Sequence, residues 1–213
     1  MSSLRITEIF FSLQGESNTV GLPTVFIRLT GCPLRCAYCD TKYAFTGGNK
    51  LAIDEIIAEV EQYRTPFVTV TGGEPLAQPG SLDLMTGLLD KGLTVSLETS
   101  GALDISKVDP RVIKVMDLKT PSSGELNRNL YQNIGFLDQK DQIKFVIGNK
   151  EDYDWSKAAM QDYDLPNRCQ ILFSPVMGEQ DPTDLAEKIL ADRLLVRFQI
   201  QLHKLLWDDA RGK

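Results

Sequence analysis

The chain has 213 residues, 42% hydrophobic and 24% charged, an ordinary composition for a globular protein with a core sized for one domain, so a single domain over 1–213 is expected. A formal charge of -6 leaves no dominant basic face for gripping phosphate backbones, which argues against nucleic acid as a partner. No apolar stretch reaches the length of a membrane span, and the polar start lacks a signal-peptide core; the expectation is a cytoplasmic protein whose thiols stay reduced, with no membrane partner.

In chain order, apolar β-rich runs alternate with segments whose apolar residues recur every three or four positions, the pattern of βα units. A predicted strand over 24–29 runs directly into Gly31-Cys32-Pro33-Leu34-Arg35-Cys36-Ala37-Tyr38-Cys39-Asp40-Thr41. A helix over 53–64 follows, with Ile53, Ile56, Ile57 and Val60 on one face. A strand over 67–71 ends in Gly72-Gly73-Glu74-Pro75, and after a helix over 81–91 a strand over 93–98 ends in Thr99-Ser100-Gly101. The next strand, 112–118, leads into Lys119-Thr120-Pro121, then a helix over 126–137 and a strand over 142–147. A helix over 153–161, a strand over 169–173 before Ser174-Pro175, a helix over 182–191 and a strand over 196–202 before His203-Lys204 complete the series.

Near-continuous apolar strands joined through helices imply an α/β fold with a parallel sheet, either a doubly wound sheet or a partial, incomplete TIM-like βα barrel of about six parallel strands. In such barrels the reactive groups sit at the carboxyl ends of the strands. Those ends are where the glycines and polar residues of this chain gather.

Cys32, Cys36 and Cys39 place three thiols within eight residues. Thiolates are the soft ligands that zinc and iron–sulfur clusters select. Closed structural zinc needs a fourth ligand, which only Cys169 or His203 offers, and neither lies in a second ligand pair. A cubane held by three cysteines leaves one iron open for an exogenous ligand. An odd cluster of three does not suit a disulfide framework, and Cys169, in an apolar run, reads as a small buried hydrophobe.

The Cys-x3-Cys-x2-Cys loop with an aromatic before its last cysteine, followed by Gly72-Gly73-Glu74-Pro75, resembles radical S-adenosylmethionine enzymes. Within that superfamily, Leu13-Gln14-Gly15-Glu16, Arg28, Cys39-Asp40-Thr41, Glu98-Thr99-Ser100-Gly101 and His203-Lys204 resemble the 7-carboxy-7-deazaguanine synthase family, over about residues 5–206. The resemblance implies a radical S-adenosylmethionine core in which Cys32, Cys36 and Cys39 hold a 4Fe–4S cluster. It places Tyr38, Cys39, Asp40, Gly73, Glu98, Ser100, Asp117, Leu118, Lys119, Phe173, Ser174, Pro175 and Val176 around S-adenosylmethionine. It assigns Leu13, Gln14, Gly15, Glu16, Arg28, Thr71 and His203 to a small-molecule pterin, 6-carboxytetrahydropterin, and Thr41 to Mg2+. The implied reaction is a ring contraction with loss of ammonia, giving 7-carboxy-7-deazaguanine for queuosine-type nucleosides. A low-potential electron donor such as flavodoxin or ferredoxin and a homodimer are implied as partners.

These implications suit the residue types. A guanidinium such as Arg28 pairs well with a carboxylate, and a hydroxyl is a hard ligand of the kind magnesium takes. Gly72 and Gly73 let backbone approach the methionine moiety closely, to which Glu74 adds charge. No residue is assigned as a catalytic acid or base. Ser174-Pro175 and Gln199-Ile200-Gln201-Leu202 depart from the commoner Gln-Pro and Ser-x-Gln-Thr of the family, and the tail over 207–213 extends past its usual ending. A glycyl-radical activase and a zinc- or cluster-stabilised binding module are the alternatives.

Overall fold

The computed structural model describes residues 3–208 and 210–213. Its strands are β1 (Ser3–Leu13), β2 (Pro23–Leu29), β3 (Asn49–Ala52), β4 (Phe67–Gly72), β5 (Thr94–Thr99), β6 (Ile113–Asp117), β7 (Gln142–Ile147), β8 (Gln170–Pro175) and β9 (Arg197–Phe198). They form one open sheet in the order β3-β1-β2-β4-β5-β6-β7-β8-β9. From β2 to β9 every pairing is parallel, while β1 and β3 add an antiparallel margin. The result is an incomplete βα barrel, with the two-residue β9 added to the six full-length parallel strands.

The helices are α1 (Ile53–Glu61), α2 (Ser81–Asp90), α3 (Lys150–Asp162), α4 (Pro182–Ala191) and α5 (Leu202–Trp207). Their starts have local causes: Asn149 accepts from the Asp152 amide at α3, and Asp181 accepts from Thr183 and Asp184 at α4 with Pro182 in the first turn. Ile56, Ile57 and Val60 of α1, Leu84, Met85 and Leu88 of α2, and Leu185 and Ile189 of α4 join the apolar cluster under the sheet.

The pleat sorts the parallel strands into two faces. Outward, Val68, Val70, Val95, Leu97, Met116, Ile143, Phe145, Ile147, Ile171 and Phe173 pack into the core. Inward, Thr69, Thr71, Ser96, Glu98, Asp117, Gln142 and Lys144 alternate with them. The β1–β2 connection plugs the inner space: Gln14 Nε2 donates to Thr69 Oγ1 (3.0 Å), and the Asn18 amide donates to Gln142 Oε1 (2.8 Å).

Three expectations change. The segment 126–137 is two short 3₁₀ turns, Leu126–Arg128 and Tyr131–Phe136, rather than a helix. Asn129 bonds both the amide and carbonyl of Lys119, and Asn133 bonds Gly101, Leu103 and Ile105, so side chains hold this segment to neighbouring loops in place of a helical ladder. The last strand shrinks to Arg197–Phe198 because Gln199 and Gln201 turn their amides onto Ser17, Glu16 and Asp40, and α5 then begins. His203 therefore stands on a helix. The strands β1 and the four-residue β3 were not expected; in β1 a register shift between Ile6 and Glu8 interrupts the alternation that would have marked it.

Candidate active site

A cavity of about 710 Å³ opens at the carboxyl ends of the parallel strands, large enough for a cofactor and a small substrate together. Its lining includes Cys32, Cys36 and Cys39 together with residues from the β1–β2 connection, the inward faces of β2 and β4 to β7, and α5.

The cysteine loop is held by the end of β4. Gly73 N–H donates to Leu29 O (3.1 Å) and Glu74 N–H to Gly31 O (2.8 Å). A Cβ at Gly73 would drive into the Gly31 carbonyl and reach 2.8 Å from Cys32 Cβ. The close approach that demands glycine is thus between β4 and the cysteine loop. Glu74 is buried beneath them, accepting from the Leu76 amide, the Thr99 hydroxyl and both the amide and hydroxyl of Ser100; it stitches the ends of β4 and β5 together and does not line the cavity. Burial pushes the Cys32 and Cys36 thiols up, and a metal centre of positive charge favours the thiolate form. Three soft donors lining one cavity fit an iron–sulfur cluster.

Beside the cysteines, Asp117 Oδ2 accepts from Lys119 Nζ at 2.6 Å. Burial opposes the Asp117 charge, but Lys119 and Lys144 outweigh it and hold the carboxyl below its ordinary value. Tyr38, Asp40, Gly73, Glu98, Ser100 and Val176 line the same space. Leu118, Phe173, Ser174 and Pro175 are buried behind the lining, with Leu118 and Phe173 in the apolar core.

Across the cavity, Gln14 is the organiser. Its Oε1 accepts the Gly15 and Glu16 amides (2.8 and 3.1 Å), while its Nε2 donates to Thr69 (3.0 Å) and Glu98 Oε1 (3.2 Å). Thr71 Oγ1 donates to Glu98 Oε2 at 2.9 Å. Burial, then the nearby Glu16, pushes the Glu98 carboxyl up. Burial also works against the Glu16 charge, but Lys144 overrides it and Glu16 lies below its ordinary value. Gly15 leaves room for His203, whose Nδ1 would sit 2.8 Å from a Cβ there. Leu13 also lines the cavity.

Arg28 Nε donates to Glu8 Oε1 (2.8 Å), which also accepts the Tyr43 hydroxyl (2.7 Å). The guanidinium lies over the Phe10 ring, 5.5 Å from its centroid. Thr41 donates to Asp40 Oδ1 (2.8 Å), and Asp40 Oδ2 accepts from Gln201 Nε2 (3.0 Å) with Lys204 3.6 Å away. Donor atoms of Glu16, Asp40 and His203 gather within 4.8 Å of one another.

Several lining residues escaped the sequence reading: Lys144, Tyr43 and Arg211, whose guanidinium covers the Tyr43 ring at 4.3 Å. Lys144 had a signal, a charge inside an otherwise apolar strand. Arg211 had none, because its place depends on the path of the tail.

Comparison with known proteins agrees with this geometry. Residues 26–121 match the Radical SAM superfamily. The fold also resembles the SuiB structure of Streptococcus suis bound to S-adenosylmethionine (TM-score 0.59, 14% identity, covering 80% of this chain and 48% of that one). Fold and cysteine wall together define a radical S-adenosylmethionine enzyme, a class built on a 4Fe–4S cluster and S-adenosylmethionine. The 7-carboxy-7-deazaguanine synthase of Chlorobaculum tepidum is 45% identical, covering 98% of this chain and 97% of its own, and that of Koribacter versatilis is 41% identical over 96% and 97%. The QueE structure from Escherichia coli superposes with a TM-score of 0.78 at 25% identity, covering 93% of this chain and 94% of that one. The chain belongs to the 7-carboxy-7-deazaguanine synthase family.

Proposed function

We infer that this protein is a lyase that converts 6-carboxy-5,6,7,8-tetrahydropterin into 7-carboxy-7-deazaguanine with loss of ammonia, a step toward queuosine. The observation that carries the reading is the hydrogen-bonded wall of Gln14, Thr71 and Glu98 standing in one cavity with Cys32, Cys36 and Cys39. A pterin ring presents several N–H donors, and this wall presents the Glu98 carboxylate, held in place by Gln14 and Thr71.

When bound, the cluster and S-adenosylmethionine supply a carbon-centred radical for hydrogen abstraction. The protein's part is binding and orientation. Cys32, Cys36 and Cys39 ligate the cluster. Gly73, Ser100, Asp117 and Lys119, with Tyr38, Asp40 and Val176, surround the cofactor, while Leu118 and Phe173 to Pro175 support that wall from behind. Gln14, Gly15 and Glu16 read the pterin edge, and Thr71 and His203 flank it. Arg28 offers its outer nitrogens to the substrate carboxylate while Glu8 fixes its Nε. Thr41, supported by Asp40, offers a hard oxygen to Mg2+, which would orient the substrate.

The single sheet running from residue 3 to residue 198 supports one radical S-adenosylmethionine domain over 1–213. No helix among the described residues is long and apolar enough to cross a membrane. A cytoplasmic setting supports reduced ligand thiols, a flavodoxin or ferredoxin suits the electron supply, and a homodimer follows the family resemblance.

The test is anaerobic incubation of reconstituted protein with S-adenosylmethionine, a low-potential reductant, Mg2+ and 6-carboxytetrahydropterin. Mass spectrometry should find 7-carboxy-7-deazaguanine, absent in a Cys36→Ala control. A fully loaded cluster without product would overturn the substrate assignment.

A further inference from the structure

Lys144 stands in the middle of β7 between Ile143 and Phe145, both fully buried. A largely buried ammonium on the cavity face of a strand requires partners, and it has two, from different segments of the cavity lining. Its Nζ lies 2.6 Å from Glu16 Oε2 and 3.5 Å from Asp117 Oδ1, with the side chain 13% exposed. Glu16 belongs to the connection that reads the pterin. Asp117, already paired with Lys119 at 2.6 Å, belongs to the cofactor wall.

The contacts continue on both sides. Glu16 Oε1 accepts from Gln201 Nε2 (2.9 Å), and the same amide donates to Asp40 (3.0 Å). The Lys144 carbonyl accepts the Leu118 amide (3.0 Å), which fixes the chain just after Asp117. The carboxylates acting most strongly on the ammonium are Asp117, Glu16 and Glu98. Burial disfavours its charge, but these carboxylates hold Lys144 well above its ordinary value, so it is a fixed cation and not a proton carrier.

We propose that Lys144 is a positioning residue that holds Glu16 at the pterin edge and Asp117 at the cofactor edge on one ammonium, and so sets the separation of the two ligands. This rests on the function inferred above. Without the ammonium, Glu16 loses the lysine partner 2.6 Å from its Oε2, and Glu16, Glu98 and Asp117 share the cavity with less compensating charge. Substrate would bind poorly, and S-adenosylmethionine would be cleaved without a well-placed hydrogen to abstract.

The experiment compares wild type, Lys144→Met, Lys144→Arg, Glu16→Gln and the double variant Glu16→Gln/Lys144→Met, all reconstituted and matched for iron and sulfide. Lys144→Met should raise the pterin KM on the order of 10-fold to 100-fold, as removal of one partner from a buried charge pair does, and should raise the ratio of 5′-deoxyadenosine to product. Lys144→Arg should recover part of both. The double variant should show no larger KM than Glu16→Gln, because two groups acting through one contact are non-additive. An unchanged KM and ratio in Lys144→Met would overturn the proposal, as would losses that multiply in the double variant. Should Lys144→Met fail to load its cluster, the double variant against Glu16→Gln decides, since both charges leave together there. Titration with S-adenosylmethionine alone needs no pterin: a several-fold weaker Kd in Lys144→Met supports the Asp117 contact, and an unchanged Kd overturns it. A wild type that makes no product but shows this Kd shift would overturn the substrate reading and leave the Lys144–Asp117 contact standing.

Discussion

On β4 to β8 the outward side chains are Val, Leu, Ile, Met and Phe under a layer of helices, whereas the inward ones include Thr69, Thr71, Ser96, Glu98, Asp117, Gln142 and Lys144. Leu97 and Glu98 are neighbours on one strand, yet one is in the core and the other faces a reaction cavity. The exception is instructive: Lys114 is buried with the outward set, and Asp141 pairs with it at 3.0 Å. A charge is tolerated there as half of a closed pair, while the inward charges of Glu98, Asp117 and Lys144 line a cavity that a ligand can enter. Stability and chemistry are therefore assigned to alternate residues, and substitutions should separate them.

The largest separation should come from Cys32→Ala. Turnover should vanish and iron content fall, while the far-ultraviolet spectrum of the sheet and helices persists; a global unfolding would mean that the cluster loop is part of the core. Leu97→Ala should do the reverse, lowering stability by about 2–5 kcal/mol through the cavity it leaves. Its kcat/KM, measured well below the lowered Tm, should stay close to wild type, and a large loss in kcat would break the division between faces. Gly73→Ala lies where the two meet. Its Cβ would meet the Gly31 carbonyl, so iron content should drop along with Tm, as read by iron analysis and calorimetry.

Thr41→Ala sharpens the comparison within the inward set: product should fall with iron retained, and the response of rate to added Mg2+ should disappear. Equal loss of iron would contradict the magnesium role. The smallest effect concerns Glu98, whose folded-state pKa is raised above 4.5. The folded protein then binds the extra proton, so the stability linked to Glu98 is fully present at low pH and is lost as pH rises through the folded value. Glu98→Gln removes that titration. The Tm of the variant relative to wild type should climb as pH is raised from about 5 to 8; a flat difference would show that Glu98 ionises normally.

Much of the cofactor half was legible in the sequence because local rules govern it. Three thiols in one short loop, a Gly-Gly after an apolar strand and polar residues at strand ends each report chemistry within a few residues. The helices α1, α2 and α4 showed in their apolar spacing and α4 in its Asp-Pro start. The end of the chain, from Gln199 on, was harder to read. Gln199 and Gln201 leave the strand pattern to satisfy Ser17, Glu16 and Asp40, partners about 160 to 185 positions away, and no local pattern records such a contact. The bulge in β1 erased a period-2 signal in the same way, and Lys144 acquires its meaning only from Glu16, 128 positions earlier.

The meeting of Gly15, Glu16 and Ser17 with Gln199, Gln201, Leu202 and His203 also has a consequence in time. A ribosome adds roughly 5–20 residues per second, so the interval between synthesis of the cysteine loop and of Gln201 is on the order of ten seconds or more. Through that interval the nascent chain carries its three ligand thiols without the segment that walls the cavity. Enclosure of the pterin side therefore waits for Gln199 to His203, long after the cysteine loop has been made.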